Sequence, residues 1–277
     1  MIDIATHRRQ VDEAVGFLRA RLDRAPEIAV SLGTGLSGLA DALAHQIIIP
    51  YRDIPNFPVA TVAGHAGNLV FGELGGRYLA ILQGRMHCYE GYSAREVAFP
   101  VRVLALLGAR TAIITNAAGG LNPAFTAGTI MVMTDHLNQL GDNPLRGPNI
   151  DEWGPRFPDL SKPYDNGLVS AALDCARQLG IEKITTGTYV CIPGPSLETP
   201  AETRYLRRCG GDAVGMSSIP EILVAAHAGM RILGLSVVAN VNDPDNLQPI
   251  LLEDIIRAAR QTEPVLQKLI AAIVARC

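Results

Sequence analysis

The chain has 277 residues, of which 48% are hydrophobic and 18% charged, and a net charge of −3. That length holds one large α/β domain or two small ones, and the composition is that of a well-packed enzyme. Scattered Lys and Arg argue against nucleic acid as a partner, and no uninterrupted apolar stretch is long enough to span a bilayer. Met1-Ile2-Asp3-Ile4-Ala5 carries early acid and no apolar core of signal-peptide length. The five cysteines are odd in number and far apart, which fits reduced thiols better than a disulfide frame or a zinc site. A cytoplasmic protein without a metal is expected.

Val11, Val15, Leu18 and Leu22 at helical spacing predict a helix over residues 7–24, closed by Pro26. A short strand from Glu27 to Leu32 runs into Gly33-Thr34-Gly35-Leu36-Ser37-Gly38. This glycine-rich turn matches the dinucleotide fingerprint, with Asp53 at the appropriate remove, but Asp53 sits in the proline-bracketed segment Pro50-Tyr51-Arg52-Asp53-Ile54-Pro55. A phosphate cradle is therefore the favoured reading, with a plain tight turn as the alternative. Gly64-His65-Ala66-Gly67 reads as a hairpin-side loop before Leu69-Val70-Phe71, and Tyr78 to Leu82 as a buried strand.

A helix is predicted over 94–107, with Pro100 in its early part and Gly108 as its stop. Thr111 to Thr115 is β-branched and apolar, a central strand that should end in the small residues Asn116-Ala117-Ala118-Gly119-Gly120. Another strand covers Ile130 to Met133. The prolines of 138–165 exclude long regular elements, and a loop of that length is functional or stabilised by a partner. Trp153 and Phe157 within it suit an inter-subunit contact or a packed loop. A helix over about 166–179 and a strand from Thr185 to Cys191 follow. Thr199, Pro200 and Glu202 then form a helix start, and Ser218 with Glu221 repeats the capping pattern for a helix at about 219–229. Arg231 to Asn240 is the last strand. The final helix carries the stripe Leu251, Ile255, Val265, Leu269 and Ile273. Strands alternating with helices indicate one α/β domain, and the alternation suggests a parallel sheet.

Residues 83–92, Gln-Gly-Arg-Met-His-Cys-Tyr-Glu-Gly-Tyr, concentrate polar chemistry. In an extended segment Arg85, His87 and Tyr89 would share one face, a donor-rich set suited to an oxyanion beside a sugar. A surface loop with scattered polar residues is the alternative. Thr34, Arg85, Asn116, Glu198, Met216 and Asn240 each lie at or just after a predicted strand's carboxyl end, which suggests one cleft along a sheet edge.

With these motifs in order, the chain resembles the trimeric purine nucleoside phosphorylases. The likeness is carried by Gly33-Thr34-Gly35-Leu36, His65-Ala66-Gly67, Gln83 through Tyr92, Thr115 through Pro123, Asn143 through Asn149, Gly194 through Thr199, and Val214-Gly215-Met216-Ser217. It implies a single α/β domain over 1–277 with a mixed, curved central sheet flanked by helices, which would replace the parallel sheet. It implies phosphate binding by Thr34, His65, Arg85, His87, the backbone at Ala117, and Ser217. Tyr89 and Met216 would hold the ribose. Glu198 and Asn240 would read the purine, with Ala118, Gly119 and Leu197 lining its pocket, and Asn240, Glu198 and His87 would be the catalytic set. Phe157 would reach into a neighbouring subunit's site, which implies a homotrimer.

The implied reaction is reversible phosphorolysis of purine (2′-deoxy)ribonucleosides in purine salvage, with phosphate as co-substrate and no cofactor. Asn240 and Ser217 favour 6-oxopurines, inosine and guanosine. The chain departs from the family at Thr34 (Ser is commoner), Leu197 (an aromatic in mammalian members), Ala239 (Thr is frequent) and Leu252, where many members have a His near the ribose 5′-hydroxyl. An apolar residue at 252 keeps 5′-methylthioadenosine phosphorolysis as the rival. A hydrolase would leave the phosphate site surplus, a nucleoside sensor has little need of it, and a dehydrogenase lacks a second acidic-ended strand.

Overall fold

The computed structural model describes residues 3–33, 35–59 and 66–277. The elements in chain order are α1 (Ile4–Arg19), β1 (Ile28–Ser31), β2 (Ala44–Pro50), β3 (Asn68–Leu74), β4 (Arg77–Gln83), α2 (Ala94–Val97), α3 (Phe99–Leu107), β5 (Thr111–Gly120) and β6 (Ile130–Asn138). They continue with α4 (Asn166–Gln178), β7 (Ile184–Cys191), α5 (Pro200–Arg208), β8 (Ala213–Gly215), α6 (Ile219–His227), β9 (Arg231–Val241) and α7 (Leu252–Val274). No helix among the described residues is long and apolar enough to cross a membrane.

Among the described residues the strands form one nine-stranded sheet in the order β2-β3-β4-β1-β5-β8-β7-β6-β9. Because β9 also pairs with β5, the strands from β5 to β9 close on themselves, while β1 to β4 extend from β5 as an open flap. The sheet is mixed. β1 runs parallel to β4 and β5, whereas β2, β3 and β4 are antiparallel neighbours and β6 is antiparallel to β9. The wholly parallel sheet suggested by the strand–helix alternation is thus corrected, and the mixed α/β sheet holds. The antiparallel part arises because β3 and β4 are joined by the tight Gly75-Gly76 turn, too short for a helical crossover.

Central strands are buried on both faces, so they read as continuous apolar runs. In β1, Ile28 and Val30 belong to one core and Ala29 to the other; Leu79 and Ile81 oppose Tyr78, Ala80 and Leu82 in the same way in β4. Helices α1, α3 and α6 cover one face, and α4 and α7 the other. Both layers bring the ends of β1, β5 and β9 to one edge.

Several boundaries shift for physical reasons. Pro100 breaks the predicted helix over 94–107 into α2 and α3 at Ala98. Asn116 to Gly120, expected as the end of the Thr111–Thr115 strand, lie within β5, because β9 and β8 supply them with ladder partners. In α7, Leu269 and Ile273 are buried, but Leu251 and Val265 of the predicted stripe are exposed. The capping box at Thr199 and Glu202 is present. The one at Ser218 is not: Ser218 has φ of +70° and its side chain caps nothing.

Candidate active site

A cleft of about 330 Å³ opens at the ends of β4, β5, β8 and β9. Its lining includes Arg85, His87, Tyr89, Met216 and Ser217, the β5 residues Asn116, Ala117, Ala118 and Gly119, and Leu197, Glu198 and Asn240. The sequence-expected residues that are described, Phe157 excepted, therefore share one cavity. Thr34 and His65, expected on the phosphate side, lie outside the described residues. Phe157 is 84% exposed on the long loop, away from this cleft.

Arg85, His87 and Tyr89 do not reach the cleft by strand alternation. β4 ends at Gln83, and Cys88 to Glu90 form a turn of 3-10 helix. The turn is fixed by Glu90, whose carboxylate accepts from the His87 backbone at 2.8 Å and lies 2.9 Å from His87 Nδ1. The His87 and Tyr89 rings stack with centroids 4.6 Å apart. Tyr51 Oη donates to Gly84 O at 2.8 Å and holds the chain where it leaves β4. Burial, with the Glu90 charge, pushes the Tyr89 phenol up to about 12, so it is a hydroxyl donor at neutral pH.

Arg85 is set in a buried network. Its Nε lies 2.7 Å from Glu221 Oε2, Nη2 donates to Ser31 Oγ at 3.0 Å, and Nη1 donates to Ser217 Oγ at 3.3 Å. Ser31 Oγ in turn donates to Glu221 Oε1 at 2.6 Å. Two elements far apart in sequence, the end of β1 and the first turn of α6, thus grip one guanidinium. Ser217 is itself pinned: its backbone N–H donates to Tyr189 Oη and its carbonyl accepts from Cys191 Sγ. Asn116 Nδ2 donates to Ser218 Oγ at 2.8 Å, which accounts for Ser218 where capping does not. The glycine turn after β1 allows close approach. A Cβ on Gly33 would lie 2.7 Å from Asn116 Cα, so β1 and β5 could not converge there with any larger residue. The segment from Ser37 to Ala42 is 3-10 helix and not the α-helix a dinucleotide site requires, and Asp53 lies in a 3-10 turn instead of ending a strand.

The lining also holds an amide–carboxylate chain. Pairing of β5 with β9 shifts register between Ala118 and Gly119, so that Val238 faces Ala118 but Asn240 faces Gly119. The extra residue, Ala239, is a bulge that re-aims Asn240 into the cleft. Asn240 Nδ2 donates to Asn242 Oδ1 at 2.6 Å, and Asn242 Nδ2 donates to Glu198 Oε2 at 2.9 Å. Burial raises the Glu198 pKa, with the Asn242 bond opposing it in part. Leu247, Pro249, Ile250, Leu252 and Ile255 close the cleft with an apolar wall.

Sequence reasoning missed Asn242, Glu221 and Ser31. Asn242 was findable, since two residues beyond Asn240 on an extended chain is the same face. Glu221 was hidden by its fit to a capping box, and Ser31 carries no signal within a strand.

Residues 27–275 match the Phosphorylase superfamily. The chain is 47% identical over 267 residues to purine nucleoside phosphorylase 1 of Bacillus subtilis (strain 168), covering 96% of this chain and 98% of that one. It is 46% identical over 254 residues to the purine nucleoside phosphorylase of Mus musculus, covering 90% and 88%. A crystal structure of Schistosoma mansoni purine nucleoside phosphorylase in complex with inosine superposes with a TM-score of 0.92 at 38% identity, covering 97% of this chain and 96% of that one. The match runs over most of the chain, which belongs to the phosphorylase superfamily. Its relatives over nearly the whole length are purine nucleoside phosphorylases.

Proposed function

We propose that the protein catalyses reversible phosphorolysis of purine (2′-deoxy)ribonucleosides, with 6-oxopurines preferred, giving free base and (deoxy)ribose 1-phosphate. The carrying observation is that a buried arginine network and an amide–carboxylate chain line one cleft. Phosphate belongs on the side of Arg85, His87, Ser217 and the Ala117 backbone, with Thr34 and His65 completing that set. Ribose lies against Tyr89 and Met216. The purine sits by Ala118, Gly119 and Leu197 and is read by Glu198 and Asn240. Breaking the C1′–N9 bond leaves positive charge on the sugar and moves an electron pair onto the purine. Asn240 stabilises the charge that builds at N7 and O6 more than it stabilises bound substrate, which is the condition for lowering a barrier. The phosphate oxygen held against C1′ forms the new bond, and its negative charge supports the cationic sugar until then. No further cofactor enters this chemistry.

Asn240 and Ser217 favour 6-oxopurines over 5′-methylthioadenosine, and relatives named purine nucleoside phosphorylase support the nucleoside reading over the methylthioadenosine one. The test is one assay of inosine, guanosine, adenosine and 5′-methylthioadenosine, each with and without phosphate. Free base and sugar phosphate should appear fastest from inosine and guanosine, and only with phosphate. Equal rates without phosphate would make the protein a hydrolase.

A further inference from the structure

Asn242 stands between two residues proposed to read the base, yet that chemistry does not use it. It is 5% exposed, and both its backbone groups are held: its N–H donates to Gly120 O at 2.8 Å and its carbonyl accepts from Arg207 Nη2 of α5. Its side chain is confined by β5, since a Cβ on Gly119 would approach Asn242 Nδ2 to 3.2 Å. The amide is therefore fixed in place between Glu198 and Asn240.

Hydrogen-bond polarity then runs one way along the chain. An ionised carboxylate only accepts, so Glu198 Oε2 draws Asn242 Nδ2 toward itself at 2.9 Å. That turns Asn242 Oδ1 toward Asn240 at 2.6 Å, and because this oxygen only accepts, Asn240 must offer Nδ2 to it. The two ends of the Asn240 amide are thereby told apart: Nδ2 lies on the Glu198 side and Oδ1 on the far side.

Resting on the base contacts proposed above, we infer that Asn242 is a positioning residue for base selection. It carries the acceptor character of Glu198 to Asn240, so that one Nδ2 hydrogen of Asn240 is held by Asn242 and the other is turned to a 6-oxo group. A 6-amino group would meet donor with donor. Freed of Asn242, Asn240 can rotate its amide and accept from a 6-amino group, so the discrimination belongs to the pair and not to Asn240 alone.

The experiment measures kcat/KM for inosine and for adenosine, with the KM for phosphate, in wild type, Asn242→Ala and Asn242→Asp. Asn242→Ala should lower the inosine-to-adenosine ratio about tenfold or more, with the phosphate KM within about twofold of wild type. Asn242→Asp should keep the ratio within about threefold, because an aspartic acid sharing a proton with Glu198 still presents an acceptor oxygen to Asn240. An Asn242→Ala enzyme with the wild-type ratio overturns the inference, and so does an Asn242→Asp enzyme whose ratio falls about tenfold. Should Asn242→Ala fail to fold, the near-isosteric Asn242→Leu is read in its place, with the same tenfold fall expected and an unchanged ratio overturning the inference. Wild-type protein inactive on inosine would instead overturn the proposed function.

Discussion

Glu198 carries opposing demands. Burial raises its pKa, so its charged form is disfavoured in the folded protein, yet the proposed reading of a purine N1–H requires the carboxylate. Asn242 eases that conflict by donating to it. Two consequences have definite signs. A carboxyl group with a raised folded-state pKa contributes stability that is complete below its unfolded pKa and is lost as pH rises through the folded one. Glu198→Gln should therefore be at least as heat-stable as wild type at neutral pH, with any advantage fading toward acid. Activity runs the other way, since kcat/KM for inosine should fall as pH drops through the elevated pKa, above the ordinary carboxylate range. A pH profile of Glu198→Gln should be low and lack that acid limb; an unchanged limb would assign it to another group.

The start of α6 does more than begin a helix. Glu221 in its first turn is buried against Arg85 at 2.7 Å, with side chains 2% and 3% exposed, so helix, β1 and the loop after β4 are tied together. Removing one partner of such a pair strands the other charge, which typically costs about 3–5 kcal/mol. Glu221→Ala should lose stability of that order by denaturant unfolding and raise the KM for phosphate, since Arg85 loses its anchor. A loss under about 1 kcal/mol would mean the pair is not the tie described here. The same element marks what the sequence could and could not reveal. Ser218 and Glu221 have the spacing of a helix cap, and only the tertiary partners Asn116 and Arg85 assign them elsewhere. At Thr199 and Glu202 the same local pattern is met locally, and that helix start was legible. Arg85, His87 and Tyr89 were legible as a set, but their route was not: a 3-10 turn held by Glu90 replaces the extended segment. The bulge at Ala239 was out of reach, because register belongs to the pairing of β9 with β5 and not to either strand.

At the scale of the molecule, closing β5 to β9 while leaving β1 to β4 open brings the Arg85 network and the Glu198–Asn242–Asn240 chain to one cleft. The mixed sheet was expected only through resemblance; alternation of elements by itself suggested a parallel one. Phe157 is exposed on the long loop, and the resemblance leads us to expect a homotrimer in which it enters a neighbouring site. Sedimentation should give a trimer, and Phe157→Ala should raise the nucleoside KM; a fully active monomer would contradict that role. The central claim is that one cleft holds phosphate on the Arg85 side and purine on the Glu198 side. Crystals soaked with sulfate and hypoxanthine test it most directly. Sulfate against Arg85 and Ser217, with the base between Glu198 and Asn240 in the same cleft, is the predicted result; either ligand bound elsewhere, with this cleft empty, would contradict it.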